Sequence, residues 1–105
     1  MRDLEATLKA VETIRNIIET YSAGWRNEEA LKAVEAELFR LGVDNSDPYI
    51  LEKIGSIKER ANILYSPRKV ERYGGVENVR SQIYGDCNSI RSAATRLART
   101  NDDEH

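Results

Sequence analysis

The sequence predicts an all-α protein: an antiparallel four-helix bundle with an additional short helix before the last long helix. Apolar residues recur at intervals of three and four along most of the chain, which is the spacing of one helix face. Gly and Pro interrupt this spacing at a few places, and no segment alternates apolar and polar residues for long enough to predict a strand. With 105 residues, 40% of them hydrophobic, the chain suits one domain that buries its own core. We predict a single helical-bundle domain over residues 1–100 and a disordered polar tail over residues 101–105.

The first two helices are predicted to run from about Asp3 to Ser22 and from just after Asn27 to Leu41. Asn27 is a residue type that caps helix starts, and acidic residues follow it in the first turn. Gly24 and Gly42 each lie where a left-handed residue would end a helix. The apolar stripes consist of Leu4, Leu8, Val11, Ile14, Ile17, Ile18 and Tyr21 in the first helix and of Leu31, Val34, Leu38 and Leu41 in the second.

Asp47-Pro48 predicts the start of a third helix, because Asp caps free N–H groups and Pro suits the first helical position. This helix is expected to end near Tyr65, since Pro67 disfavours a helical residue before it. A short helix is predicted from Ser66-Pro67 through Tyr73. The stripe of the third helix consists of Ile50, Ile54, Ile57, Ala61 and Leu64.

The last helix is predicted from Val76 to Arg99, after a stop at Gly74-Gly75. Short links between long helices favour an up-and-down bundle, and the alternative is an open three-helix arrangement completed by a second copy of the chain. The stripe of this helix places Val76, Ile83, Ile90 and Leu97 at intervals of seven, with Cys87 and Ala94 between them.

Charge is distributed unevenly along the chain, although the net charge is only −2. Residues 1–57 hold seven basic and eleven acidic side chains, whereas residues 58–99 hold nine basic and four acidic ones. The plainer interpretation is that the acidic segment packs beside the basic one and neutralises it. The other is that the basic segment is a phosphate-binding face, which makes a nucleic-acid or nucleotide binder the alternative function. A sequence pI near 5.5 argues against strong non-specific binding of nucleic acid.

Ser66-Pro67-Arg68-Lys69 is the run that most looks like a motif. It resembles the Ser-Pro-basic-basic tetrapeptides that follow the minor groove of DNA, and also the acceptor sequence of proline-directed kinases. The structural interpretation, which we favour, is that Ser66 caps the short helix and Pro67 takes its first position.

Two arginines and two glycines lie where an amphipathic helix does not favour them. Arg15 and Arg80 fall on apolar stripes, so each should reach water at the rim of the bundle or pair with an acid such as Asp86. Gly55 and Gly85 lie inside helices, where Gly costs about 1 kcal/mol relative to Ala. A close helix crossing within the bundle is the first explanation, and a tight contact with a second chain is the other.

Aromatic and basic residues suggest a binding surface at the end of the bundle formed by the third helix and the short helix. Trp25 lies in the link between the first two helices, where it either plugs the core or anchors an interface, and we favour the plug. The candidate binding residues are Trp25, Tyr65, Arg68, Lys69, Arg72, Tyr73, Arg80 and Tyr84.

No catalytic or metal-binding pattern is visible in the sequence. Cys87 is the single cysteine, and His105, native or left from a purification tag, is the single histidine and falls in the predicted tail. Spacings typical of zinc, di-iron and calcium sites and of phosphate loops are absent, so we predict no enzyme activity, no cofactor and no metal. The polar start at residues 1–5 and the lack of an apolar run of about 20 residues favour a cytoplasmic protein that does not enter a membrane.

The sequence therefore predicts a non-catalytic protein–protein interaction module, such as a small helical adaptor, inhibitor or immunity-type protein. Its partner is expected to be another protein or a second copy of itself, with nucleic acid less favoured. The identity of the partner, the biological process and the oligomeric state are left open by the sequence.

Overall fold

The structure, a computed structural model, describes residues 4–103 and the side chains of residues 4–100. It contains five helices: α1 (Leu4–Thr20), α2 (Glu28–Asp44), α3 (Pro48–Leu64), α4 (Lys69–Arg72) and α5 (Val76–Asp103). No strand occurs within residues 4–103, and the all-α prediction is confirmed. Over the same residues, no helix is both long enough and apolar enough to cross a bilayer.

The four long helices form the predicted antiparallel bundle within one chain. α1 and α3 each pack against both α2 and α5, so that α2 and α5 lie diagonally opposite each other, while the short α4 bridges α3 and α5. Asn45, just after α2, donates from Nδ2 to Oγ1 of Thr7 near the start of α1 at 3.1 Å. At the other end, the amide of Gly24 after α1 donates to the carbonyl of Leu64 in the last turn of α3 at 3.0 Å.

The core consists of the apolar stripes that the sequence predicts. Removing these side chains from water is the main favourable contribution to folding, and all four long helices contribute to it. The largest fully buried members of the stripes are Val11, Ile14, Ile18, Val34, Leu41, Ile50, Ile57, Leu64, Ile83 and Ile90.

Two predicted helix starts are confirmed by their capping hydrogen bonds. Oδ1 of Asn27 accepts from the amide of Ala30 at 3.1 Å, and Oδ2 of Asp47 accepts from the amide of Ile50 at 3.1 Å. Pro48 takes the first position of α3, where its missing N–H is not needed.

The predicted stop of α2 at Gly42 is wrong. The helix continues to Asp44, and Gly42 is not among the residues with positive φ. Asn45 ends the helix in an extended conformation, and its side chain donates to the carbonyl of Leu41 at 3.0 Å. A side chain therefore satisfies the last turn, so a left-handed glycine is not required.

The predicted stop at Gly74-Gly75 is confirmed, since φ is +91° at Gly74 and +92° at Gly75. α5 begins directly after it and continues to Asp103, four residues beyond the predicted end at Arg99. Residues 104 and 105, and with them His105, lie outside the described residues, so the disorder of the tail stays a prediction.

The close helix crossing predicted at Gly55 and Gly85 is wrong. Both glycines are exposed, and a Cβ atom added at either one would find no neighbouring atom within 4 Å. Nothing in the bundle therefore offsets the cost of glycine at these two helical positions.

The ion pair predicted for Asp86 forms with a different arginine. Nη1 of Arg60 on α3 donates to Oδ2 of the buried Asp86 on α5 at 2.6 Å. Arg15 instead lies over the ring of Tyr84, 5.3 Å from its centroid, and Arg80 pairs with Glu77 at 3.1 Å.

No ion pair among the described side chains joins the acidic segment 1–57 to the basic segment 58–99, so the two do not neutralise each other by direct pairing. The ion pairs formed by the described side chains each join residues of the same segment: Arg26 with Glu28, Arg40 with Glu37, Arg60 with Asp86, and Arg80 with Glu77.

Candidate functional site

Four of the predicted binding residues form an exposed surface around α4. We call Arg68, Lys69, Arg72 and Tyr73 the α4 surface; all four are exposed, Tyr73 by 50%. Three of them line one groove of about 300 Å³ against α3. Its lining residues are Glu59, Asn62, Ile63, Lys69, Arg72 and Tyr73.

The structural interpretation of the Ser-Pro run is confirmed only in part: Ser66 accepts from the first amide of α4, but the N-cap residue is Arg68, whose side chain makes no capping hydrogen bond. The Oγ of Ser66 accepts from the amide of Lys69 at 3.4 Å. α4 begins at Lys69, so Pro67 precedes the helix and does not take its first position. The helix is a single turn held to the core by Val70, which is 2% exposed.

The prediction that Trp25 plugs the core is wrong. Trp25 is 50% exposed, beyond the left-handed turn at Gly24, whose φ is +84°. The buried aromatic at this end of the bundle is Tyr65, which is 2% exposed.

Tyr65 is buried at this bundle end, and Arg80 and Tyr84 are half-buried. The hydroxyl of Tyr65 has no hydrogen-bond partner among the described residues, and burial raises the pKa of Tyr65 to about 12 against a smaller opposing effect of Arg80. Nη2 of Arg80 donates to the carbonyl of Tyr21 at 3.5 Å. Burial also raises the pKa of Tyr84, whose ring lies under the Arg15 guanidinium. These three predicted residues therefore belong to the packing of the bundle.

The basic residues of the segment 58–99 do not meet on one surface. Arg60 is paired with Asp86, and the α4 surface lies next to the start of α5. The groove on the last part of α5 that holds Arg91, Arg96 and Arg99 is about 30 Å farther along the axis, at 1.5 Å per helical residue.

The structure reveals a second surface, on the outward side of α2, that the sequence analysis did not predict. Phe39 is 74% exposed and Val43 is 55% exposed, and both lie in the C-terminal half of α2. Ala36 and Gly42 beside them are exposed as well. We call these four residues the α2 face.

The α2 face exists because α2 carries two apolar rows. Val34, Leu38 and Leu41 form the row that enters the core. Phe39 follows Leu38 by one position, which turns its side chain about 100° around the helix axis, away from that row. Ala36, Phe39 and Val43 repeat at three and four residues, so they form a second row on the side that no other helix covers.

Phe39 stands as a ridge between two grooves. The larger, which we call the α1–α2 groove, has a volume of about 400 Å³, and its floor on α1 is made of small side chains. The second, between α2 and α3, has a volume of about 260 Å³ and holds Leu38 and Ile54. The α1–α2 groove is lined by Ala6, Lys9, Ala10, Thr13, Glu37, Phe39, Arg40, Val43 and Asp44.

The rim of the α1–α2 groove carries equal numbers of positive and negative side chains. Lys9 and Arg40 supply the positive charges, and Glu37 and Asp44 supply the negative ones. Arg40 pairs with Glu37 at 3.1 Å; this places the ion pair along the groove, and the side chain of Glu37 is only 13% exposed. An apolar surface with a charged rim is the arrangement of protein–protein interfaces.

The single cysteine lies at neither of these surfaces. Cys87 is buried on the inner side of α5, and burial raises the pKa of its thiol to about 12, so the thiolate is not formed near neutral pH. Within residues 4–103, no three His, Cys, Asp or Glu side chains are grouped so that they could hold a metal ion. Comparison with protein-family models, with curated proteins and with solved structures finds no match.

Proposed function

We propose that this protein is a non-catalytic interaction module that binds a polypeptide through its α2 face. The observation that carries the proposal is the exposure of Phe39, 74% of whose surface faces solvent from the C-terminal half of a regular helix. An aromatic side chain of this kind gains about 2 kcal/mol when it is covered, so its exposure favours association.

The location of the α2 face supports binding by surface complementarity. Phe39 and Val43 are fixed by a helix whose other side enters the core, so little conformational entropy is lost when they are covered. The grooves on both sides of Phe39 can receive side chains of a partner. Aromatic anchors beside pockets are the usual sites of binding energy in interfaces.

A cytoplasmic location is part of this proposal. It is supported by Cys87, a free and buried thiol with no disulfide partner in the sequence, which fits a reducing compartment.

Site-specific photo-cross-linking tests the proposal. Phe39 is replaced by p-benzoylphenylalanine in the full chain, which is irradiated in the cells that produce it. We expect discrete cross-linked polypeptides from position 39 and none from a control that carries the same group at Gln82, which is exposed on the outward side of α5. The proposal is overturned if position 39 gives no discrete adduct, or if both positions give the same ones.

A second candidate function is phosphate binding by the last part of α5. The observation that favours it is the groove of Arg91, Ser92, Thr95, Arg96 and Arg99, in which no acidic side chain of residues 4–100 takes part. Arginine side chains suit phosphate oxygens. Binding of a fluorescent single-stranded oligonucleotide should then weaken steeply with added salt and be lost in the double variant Arg96→Gln/Arg99→Gln. Binding that is absent at low salt would eliminate this candidate.

A further inference from the structure

We infer that the occupant of the α2 face is a second copy of this chain, in a two-fold symmetric dimer in which each Phe39 enters the α1–α2 groove of the other copy. This inference rests on the proposed function, because it names the partner of the same surface. It is carried by the shape of the surface, by the balance of its charges and by the position of the face in the bundle.

The shape of the α2 face is self-complementary. A projecting aromatic side chain, Phe39, lies directly beside a groove of about 400 Å³ whose floor is made of the small side chains Ala6, Ala10 and Thr13. Two-fold symmetry requires that one surface patch carry both halves of each contact. A ridge and a groove side by side on one face meet this requirement. A two-fold axis that passes between them places the ridge of each copy over the groove of the other.

The charges of the groove rim allow the same face to meet itself. A rim of one sign would repel an identical rim, whereas Lys9, Arg40, Glu37 and Asp44 sum to zero. Lys9 lies on α1 and Asp44 lies at the end of α2, so the positive and negative ends of the rim belong to different helices. Two copies related by a two-fold axis can therefore bring Lys9 of one chain toward Asp44 of its partner.

The position of the face permits a dimer without rearrangement of either copy. α2 packs only against α1 and α3, so its outward side is covered by no other helix of the described chain. α1 and α2 each contain 17 residues, which is about 25 Å of helix, and the α1–α2 groove takes its lining from both of them. The dimer predicted here uses the α1–α2 side, whereas the glycines of α3 and α5 lie on other sides of the bundle.

The test is the molar mass of the full chain in solution, measured by light scattering and sedimentation equilibrium from about 1 µM to about 500 µM. We expect the mass to rise from 11.9 kDa toward twice that value with concentration. Phe39→Ser should weaken the dimer by about 1000-fold, because a loss of about 30-fold at an aromatic anchor counts twice in a symmetric interface. Tyr73→Ser is the matched control and should leave the dimer intact, because it removes another exposed aromatic, 50% exposed, from the α4 surface.

Charge reversal gives a second test that does not depend on Phe39. Lys9→Glu gives the rim a net negative charge and should weaken the dimer at least about 10-fold at low salt. The double variant Lys9→Glu/Asp44→Lys restores a balanced rim and should restore dimerisation. Rescue of this kind is expected when the face meets itself and not when it meets an unrelated protein.

Three results would overturn the inference. A chain that remains at 11.9 kDa over the whole concentration range has no dimer. A dimer that survives Phe39→Ser, or one that is lost in Tyr73→Ser, is formed by another surface. If the chain is monomeric while photo-cross-linking at position 39 captures a different polypeptide, the dimer inference fails and the proposed function stands. If position 39 cross-links neither to a second copy nor to another polypeptide, both fail.

Discussion

The outward sides of α2 and α5 lie on opposite sides of the bundle and present different chemistry to solvent. α2 exposes Phe39 and Val43, whereas α5 exposes no large hydrophobic side chain over its described part. Their inward sides are alike, since each helix carries a single apolar stripe into the core. The core pattern of a helix specifies its place in the fold, while a second apolar pattern on its other side indicates whether that side must be covered. Four sets of variants test this difference between α2 and α5.

The largest expected effect on the free energy of unfolding comes from truncating an apolar residue of the core, compared with truncating one on the surface. Ile83→Ala, on the inner side of α5, should lower the free energy of unfolding by about 3–4 kcal/mol, because it leaves a cavity in the core. Phe39→Ser should change it by no more than about 0.5 kcal/mol, since the ring is exposed and Ser and Phe have similar helix propensity. Urea unfolding at a concentration where the chain is monomeric measures both values. A cost of about 2 kcal/mol or more for Phe39→Ser would mean that the residue is structural, and the contrast between the two helices would be lost.

The next effect concerns the polar contact that α5 makes on its inner side. Arg60→Met should cost about 3 kcal/mol, because it leaves the buried carboxylate of Asp86 without its partner. The double variant Arg60→Met/Asp86→Leu should recover most of this loss. Arg26→Met removes an arginine from an exposed pair with Glu28 and should cost less than about 0.5 kcal/mol. Equal effects of Arg60→Met and Arg26→Met in chemical denaturation would contradict the assignment.

The third effect is a loss of stability at alkaline pH. Burial raises the pKa of Cys87 from 9.0 to about 12 and that of Tyr65 from 10.0 to about 12. The folded state therefore keeps protons that the unfolded chain releases. Their contribution to stability is complete below about pH 9, and the free energy of unfolding falls by about 1.4 kcal/mol per pH unit and per group as the pH rises toward 12.

Urea unfolding between about pH 8 and 11 should show this slope. The double variant Cys87→Ala/Tyr65→Phe should flatten it. Rapid reaction of the native thiol with a disulfide reagent near pH 9 would show instead that Cys87 is accessible and that its pKa is not raised.

The smallest effect tests whether the outward side of α5 is open. Gly85→Ala should raise the free energy of unfolding by about 0.5–1 kcal/mol, because Ala favours the helix and its Cβ finds no neighbouring atom within 4 Å. Gly74→Ala is the contrasting control, since a Cβ there would lie 2.7 Å from Nδ2 of Asn78 on a backbone with φ of +91°; it should destabilise. A destabilising Gly85→Ala in thermal unfolding would mean that something packs against this side of α5.

The sequence was sufficient to predict the helices and most of the core, because both depend on the local spacing of apolar residues. The central residues of the predicted stripes are buried in all four long helices, whereas Leu4, Leu8, Leu31, Ile54, Val76 and Leu97 are only partly buried. The caps at Asn27 and Asp47 form the expected bonds. Gly42 shows the limit of such rules. A glycine after an apolar stripe favours the end of a helix, but α2 continues to Asp44, because the side-chain amide of Asn45 donates to the free carbonyl of Leu41.

The candidate site could not be predicted in the same way, because it depends on which helices become neighbours. The row of Ala36, Phe39 and Val43 is visible in the sequence, yet whether another helix covers it is decided by the order of the helices around the core. The partner of Asp86 is another such case: the sequence suggested Arg15 or Arg80, whereas the packing of α3 against α5 places Arg60 at 2.6 Å from Asp86.

The length of α5 has a consequence for how the chain is degraded. α5 has 28 residues where α1 has 17, and after the half-buried Leu97 and Ala98 the side chains of Arg99 and Thr100 are exposed. We therefore expect this end of α5 to fray before the rest of the bundle opens. Limited digestion with trypsin should cut after Arg99 first, and mass spectrometry should find a trimmed and still folded remainder that ends there.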